Sequence, residues 1–286
     1  MALGRSTTTT DGAAALLADP RYELMPFDSF EEQVTHLPDG AEITITASPT
    51  QGLEATIEWT EWAAGRGYDL IPHVAARYVR DDEHLDEIAT RLQEAGVTDV
   101  FVPGGDREDP VGEFESALEL LRALERLGHD FDEVGITGYP EGHDFLSEET
   151  LAEAMVEKAP HATYLTTQLC YDPEAILAWL ERVRDDRGVD LPVEVGIPGV
   201  MKYQRLLGIS RKVGVGDSID FLKKTSGVLG FVRQLVGSRG KYTPDALVDG
   251  LAPYADDPDY GIRGLHVYTF NQVPDTEEWR LGRLGQ

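Results

Sequence analysis

Residues Val134 to Asp144 read Val-Gly-Ile-Thr-Gly-Tyr-Pro-Glu-Gly-His-Asp. The apolar and β-branched residues at the start predict a short buried strand, and the Gly and Pro residues that follow predict a turn. The turn carries Tyr139, Glu141 and His143, and an amphipathic helix is predicted after it. Because this order recurs along the chain, the stretch is the pattern from which the fold is predicted.

Seven other stretches share the pattern of a strand-length apolar run that ends on Gly, Pro or polar residues. They are Tyr22–Phe27, Glu42–Ser48, Asp69–Ala76, Asp99–Pro103, Ala162–Cys170, Pro192–Ile197 and Gly264–Phe270. Segments with helical apolar spacing separate them, which predicts a parallel sheet with right-handed crossovers. Eight such units in 286 residues match a (β/α)8 TIM barrel. A doubly wound open sheet is the alternative, but the glycine fingerprint typical of its first turn is missing.

The chain is predicted to form a single domain over residues 21–286, preceded by a loose polar leader at residues 1–20. Residues Asp217–Leu235 predict an extra helical excursion after the seventh strand. The single cysteine, Cys170, lies in an apolar run and is interpreted as a small core residue rather than a nucleophile.

The formal net charge is −27, from 52 acidic and 25 basic residues spread along the chain. This argues against a nucleic-acid or anionic-membrane binder, which would need a basic face. With only six lysines, the composition favours a protein of a very salty cytosol over an ordinary acidic enzyme, and predicts unfolding below about 1 M salt. Without a recognisable signal peptide or an 18-residue apolar run, we expect a soluble cytoplasmic protein. The oligomeric state, including a homo-oligomer, is left open.

Polar residues at the carboxyl ends of barrel strands converge on one mouth, so they are the candidates for chemistry. Glu23 lies in an otherwise apolar run, where a lone carboxylate is costly unless it is hydrogen-bonded or used. Its burial would raise its pKa towards the range of a general acid, although an outward-facing residue at a frayed strand start is the alternative. Asp106 follows two glycines and could orient a ligand or cap a turn.

Several side chains near the same mouth suit a planar ligand. His73, Tyr139 and His143 could stack on it or hydrogen-bond to it, and Gln168 offers both a donor and an acceptor. Each of them could also be structural. Since Asp, His and Glu do not cluster at metal-ligand spacing, no metal site is predicted.

At these residues the sequence resembles the methylenetetrahydrofolate reductase family, whose members are (β/α)8 barrels. The resemblance spans most of the chain, from Glu23 to about Asn271. The residues that carry it are Glu23, Thr46, Pro72-His73, Gly105-Asp106, Tyr139-Pro140-Glu141-x-His143, Thr167-Gln168, Ile197-Pro198-Gly199 and His266-x-Tyr268-Thr269-x-Asn271.

The resemblance implies reduction of 5,10-methylenetetrahydrofolate to 5-methyltetrahydrofolate for methionine synthesis. In the family, NAD(P)H reduces a bound FAD, and the flavin then reduces the one-carbon bridge. Glu23 matches the general acid that helps the folate ring open to an iminium, Asp106 the carboxylate that favours this cation, and Gln168 the amide that holds the pterin. The positions that match cofactor contacts are Thr46, His73, Gly105, Tyr139, His143, Lys158 and Tyr268.

The chain departs from the family pattern at two turns. Gly104 stands where the family commonly has Arg before Gly-Asp, and Ala47-Ser48-Pro49-Thr50 replaces a Tyr-Gly-type turn. Some relatives pass hydride directly from the nicotinamide without flavin, which is one alternative. A tetrahydrofolate-dependent methyltransferase or demethylase on the same barrel is another. The sequence does not decide between NADH and NADPH, or the form of the folate.

Overall fold

The computed structural model describes residues 10–129, 131–143, 145–212 and 240–286. The elements in chain order are α1 (Asp11–Ala18), β1 (Arg21–Leu24), α2 (Phe30–Val34), β2 (Glu42–Ile45), α3 (Gly52–Ala63), β3 (Asp69–Pro72), α4 (Asp82–Glu94), β4 (Asp99–Phe101), α5 (Ala117–Leu127), β5 (Glu133–Gly138), α6 (Glu148–Lys158), β6 (Tyr164–Thr167), α7 (Pro173–Glu181), β7 (Val193–Pro198), β8 (Met201–Lys202), α8 (Tyr203–Lys212), β9 (Lys241–Tyr242), α9 (Asp245–Leu251), β10 (Ile262–Tyr268) and α10 (Val273–Leu284).

Eight of these strands form one parallel sheet in the order β3-β2-β1-β10-β7-β6-β5-β4. A single parallel bridge between His73 and Phe101 joins the two edge strands, β3 and β4. The sheet therefore curls into a nearly closed (β/α)8 barrel, and the predicted fold class is confirmed. All eight predicted stretches contain most of the strand observed there.

Capping residues set the ends of the helices around the barrel, and helix α5 is an example. Helix α5 starts with a capping box between Ser116 and Glu119, and it ends at Gly128, whose φ of 75° is the left-handed conformation that glycine adopts easily. Leu120, Leu121 and other residues on one face of this helix are buried. The helices therefore pack with their buried faces against the outside of the barrel. The ends of the strands are not needed for this packing and can carry functional residues.

The predicted loose leader is wrong for residues 11–18, which form helix α1. Thr10 caps the helix, and Ala13, Leu16 and Leu17 bury one face with three- and four-residue spacing, just after the polar run at residues 6–10. Arg280 in α10 also donates hydrogen bonds to the carbonyl oxygens of Leu17 and Ala18, at 3.0 Å each. Residues 1–9 lie outside the described residues.

The predicted helical excursion at Asp217–Leu235 also lies outside the described residues. On either side of it, β8 and β9 pair as an antiparallel ribbon. Tyr203 and Tyr242 pack edge to face at this ribbon, with ring centroids 5.9 Å apart. In the part of the chain that the structure describes, no helix has the length and apolar character needed to cross a membrane.

An ionic cluster fills the end of the barrel where the strands begin. Arg21 in β1 contacts Glu42 at 2.7 Å, Asp99 at 2.9 Å and Glu133 at 3.4 Å, so it links β1 to β2, β4 and β5. Arg263 in β10 contacts Glu133 at 2.9 Å and Glu194 at 2.6 Å. Burial raises the pKa of Asp99 above its ordinary range, although Arg21 opposes this effect. The cluster lies opposite the strand ends at which function was predicted.

Candidate active site

The carboxyl ends of the strands surround a cavity of about 1300 Å³. All ten residues that the sequence singled out line it: Glu23, Thr46, His73, Gly105, Asp106, Tyr139, His143, Lys158, Gln168 and Tyr268. The barrel explains this convergence, because its strands all end at the same rim.

Glu23 lies between two buried imidazoles. Its Oε2 is 3.2 Å from Nε2 of His266 and 3.8 Å from Nε2 of His73, and 12% of its side chain is exposed. Burial, together with repulsion from His266, lowers the pKa of His73 to about 4, with Glu23 opposing the shift. His73 is therefore neutral at pH 7. The side chain of Glu23 faces the cavity, so the alternative of an outward Glu at a frayed strand does not hold.

Asp106 lies on the loop after β4, where it is exposed at the cavity. Gly105 has a φ of 94°, which explains the glycine at this position. The hydroxyl of Tyr78 donates a hydrogen bond to Oδ1 of Asp106 at 2.7 Å. Asp106 is therefore held by a side chain from the neighbouring loop.

Gln168 follows β6, with its amide oxygen already in use. The backbone N–H of Leu169 donates to Oε1 of Gln168 at 2.8 Å, and the backbone N–H of Gln168 donates to the carbonyl of Gly138 at 2.7 Å. Within the described ranges, no protein acceptor pairs with Nε2 of Gln168. The side chain thus offers a ligand one donor group in a fixed orientation.

Aromatic rings extend from the cavity wall to its rim. The rings of Tyr139 and His143 are 5.6 Å apart, and those of His143 and Phe145 are 5.8 Å apart. Phe145 is 89% exposed although it is strongly apolar. This arrangement could receive a flat ligand.

Lys158 is a buried cation in the same cavity. It is 8% exposed, and its Nζ lies 3.4 Å from the hydroxyl of Thr137. Among the described residues, no carboxylate forms an ion pair with it. Burial lowers the pKa of Lys158 to about 8. An unpaired buried ammonium is costly, and an anionic ligand would compensate for it.

Comparison with known proteins shows the family of the chain. A family model described as "Methylenetetrahydrofolate reductase" matches residues 23–278. The chain belongs to this family. It is 28% identical over 216 residues to Methylenetetrahydrofolate reductase 1 of Schizosaccharomyces pombe, covering 66% of this chain and 31% of that protein. It is 23% identical over 210 residues to the probable methylenetetrahydrofolate reductase (NADH) of Oryza sativa subsp. japonica, covering 66% and 34%.

The chain thus spans about a third of the length of these curated relatives. A solved structure shares its fold with a TM-score of 0.62, at 12% identity over 93% of both chains. That structure is described as an uncharacterized protein from Clostridium thermocellum that binds two copies of 5-methyl-5,6,7,8-tetrahydrofolic acid. At this identity the likeness establishes the fold.

In this member of the methylenetetrahydrofolate reductase family, the structure adds two cavity residues without a predicted role, Tyr78 and Phe270, and buried His266, which contacts Glu23. Phe270 and Asn271 have positive φ values, 48° and 54°, which are uncommon outside glycine. Asn271 stabilises the turn by accepting from the Met25 N–H at 2.9 Å and donating to the Met25 carbonyl at 3.1 Å. The turn places Phe270 beside Tyr268, with ring centroids 6.2 Å apart.

No group of three or more His, Cys, Asp or Glu side chains suited to a metal ion was found in the described ranges.

Proposed function

We propose that this chain reduces 5,10-methylenetetrahydrofolate to 5-methyltetrahydrofolate with NAD(P)H as the hydride donor. The observation that carries the proposal is Glu23, a largely buried carboxyl group between two imidazoles in a large cavity of a family member. Asp106 and Gln168 line the same cavity. We extend the proposal to methyl supply for methionine synthesis in the cytoplasm.

The central chemical step assigned to the protein is a proton transfer from Glu23. The five-membered ring of the substrate opens when a ring nitrogen takes this proton together with the electron pair of its bond to the bridging carbon. The carbon then becomes part of an iminium cation, which accepts a hydride. Neutral His73 suits the proton transfer, because a cationic imidazole beside Glu23 would favour the ionised carboxylate, which has no proton to give.

Two further side chains orient the substrate and stabilise its charge. Asp106 supplies a negative charge that favours the iminium, and one of its oxygens is fixed by Tyr78. Gln168 donates from Nε2 to an acceptor on the pterin edge, since its Oε1 is already paired. We propose that these contacts set the position of the carbon that receives the hydride.

The residues of the cavity fit FAD. The cavity exceeds the roughly 300–1,000 Å³ of ordinary small-molecule sites, which leaves room for a cofactor beside the substrate. Lys158 suits a diphosphate, and Thr46, His73, Gly105, Tyr139, His143 and Tyr268 would line the rest. When bound, FAD supplies a two-electron carrier between NAD(P)H and folate.

Replacing the buried cation tests this fit. We expect Lys158→Met to stabilise the ligand-free protein by about 3 kcal/mol at pH 7, because one unit of pKa shift corresponds to about 1.4 kcal/mol. The folded state holds this proton less tightly than the unfolded chain. The gain should therefore be full below pH 8 and disappear as the pH rises towards the ordinary value for lysine. Denaturant unfolding at pH 7 and pH 10 measures it.

The same variant should retain less FAD after gel filtration, since the partner of the diphosphate is lost. Lys202→Met, which removes an exposed lysine, should change the free energy of unfolding by less than about 0.5 kcal/mol. A loss of stability in Lys158→Met would contradict the interpretation of Lys158 as an unpaired cation.

The proposed function is tested on protein purified in molar salt, first by its absorbance spectrum and then by its kinetics. A flavin band, with oxidation of NADH or NADPH that depends on methylenetetrahydrofolate and yields 5-methyltetrahydrofolate, is the expected result. If colourless protein catalyses the same reaction, the hydride passes directly from the nicotinamide to the folate, and FAD is not the cofactor. Failure to oxidise either nucleotide, with methyl transfer from 5-methyltetrahydrofolate instead, would overturn the reductase in favour of a methyltransferase.

A further inference from the structure

The loop that carries Asp106 is fixed by the short segment that follows β3. The backbone N–H of Arg77 donates to the carbonyl of Gly104 at 3.0 Å, and the N–H of Val111 donates to the carbonyl of Arg77 at 3.0 Å. The Arg77 guanidinium donates to three further carbonyls, those of Arg107 at 2.7 Å, Glu108 at 3.0 Å and Glu115 at 2.9 Å. The loop is therefore attached to its neighbour at both ends and in the middle.

Tyr78 comes directly after Arg77 and is 6% exposed. One face of its ring is so close to Gly105 that a Cβ there would lie 3.3 Å from two ring carbons. The guanidinium of Arg107 lies over the ring, 5.6 Å from its centroid. These contacts hold the phenol in one orientation, in which its hydroxyl meets Oδ1 of Asp106 at 2.7 Å.

We propose that Tyr78 is a positioning residue for the reduction, one that acts through Asp106. This inference rests on the proposed function. The phenol holds one oxygen of the carboxylate and leaves Oδ2, which has no hydrogen-bond partner among the described residues, to face the folate cation. The hydroxyl is the group that contacts the carboxylate, whereas the ring contacts with Gly105 and Arg107 hold the hydroxyl in place.

The buried environment makes the phenol a reliable donor. Burial raises the pKa of Tyr78, and the carboxylate of Asp106 raises it further. The hydroxyl therefore stays protonated at any pH at which the protein works. Arg107 follows Asp106 at the exposed rim, and Gly104, which precedes Gly105, has no side chain. The orientation of Asp106 is consequently set by Tyr78 rather than by a neighbour in sequence.

The test is a double-mutant cycle of Tyr78→Phe and Asp106→Asn. Tyr78→Phe keeps the ring and should slow methylenetetrahydrofolate reduction roughly tenfold to a hundredfold, the range for a hydrogen bond to a charged group. The fall should be in kcat rather than KM, and NADH oxidation with an artificial acceptor should be unchanged. In the Asp106→Asn background, Tyr78→Phe should have no further effect on the folate reaction.

Tyr260→Phe is the matched control, because Tyr260 also donates to a carboxylate, Glu181 at 2.7 Å, and is absent from the cavity lining. This control should change the rates of folate reduction and of NADH oxidation by less than about twofold. The melting temperatures of the ligand-free single and double mutants supply a readout that needs no activity. They should show the same coupling between Tyr78 and Asp106.

Each outcome separates the two proposals. If the unmodified protein reduces folate and Tyr78→Phe does so with the same kcat, the positioning role is overturned while the proposed function stands. Equal losses from Tyr78→Phe in both backgrounds would make Tyr78 a structural residue that acts independently of Asp106. If the unmodified protein does not reduce folate, the proposed function fails, and non-additive melting temperatures would then support only the pairing.

Discussion

Glu23→Gln is expected to lose folate reduction while retaining oxidation of NADH by an artificial acceptor. The amide has the shape of the carboxyl group and can still pair with His266, but it has no acidic proton to give to a ring nitrogen. General acid catalysis typically contributes about 10²–10⁴-fold, so the folate half-reaction should slow by at least about a hundredfold. Stopped-flow measurement of the two half-reactions separates the two effects.

Glu157→Gln is the control, since Glu157 is a carboxylate that lines the same cavity without an assigned role. It should leave both half-reactions within about threefold. Equal losses of both half-reactions in Glu23→Gln would count against the acid and indicate damage to the whole cavity. Full activity with folate would remove Glu23 from the mechanism.

Arg21→Met is expected to cost about 3–5 kcal/mol of unfolding free energy, without any contact with the active site. The Arg21 side chain is 7% exposed, and its two buried partners are Asp99 at 2.9 Å and Glu194 at 3.7 Å, which are 13% and 5% exposed. Removing the arginine leaves these groups with too few positive partners in a poorly solvated place. Because burial also limits screening, the loss should persist in molar salt.

Arg91→Met provides the surface comparison. Arg91 pairs with Glu54 and Glu61 at 2.8 Å each, but those carboxylates are 59% and 39% exposed. Exposed pairs contribute about 0–1 kcal/mol, so the free energy of unfolding of this variant should be close to that of the unmodified protein. If chemical denaturation gives similar small losses for both arginines, the interpretation of the Arg21 cluster as a buried network is wrong.

The sequence predicted the barrel because every strand is a local apolar run with its own boundary signals. It also predicted which residues converge, because a barrel brings the ends of all its strands together. The pairings of Glu23 with His266 and of Tyr78 with Asp106 could not be read in this way. They join residues 243 and 28 positions apart, and no local pattern records such contacts. The chemical roles of the converging residues remain predictions.

The junction between β3 and β4, a seam in the barrel, is held by different contacts at its two ends. Near the cavity it is joined by backbone bonds, from Val74 to Phe101 at 2.8 Å and from Ala76 to Pro103 at 3.0 Å. At the other end, Asp99 of β4 is tied instead to Arg21 of β1. Local opening should therefore begin along this seam, and amide exchange there should be faster than at β10 and β7, which pair over six residues. The loop that carries Asp106 begins at this junction. Substitutions in the loop should therefore also change how strongly β3 and β4 are joined.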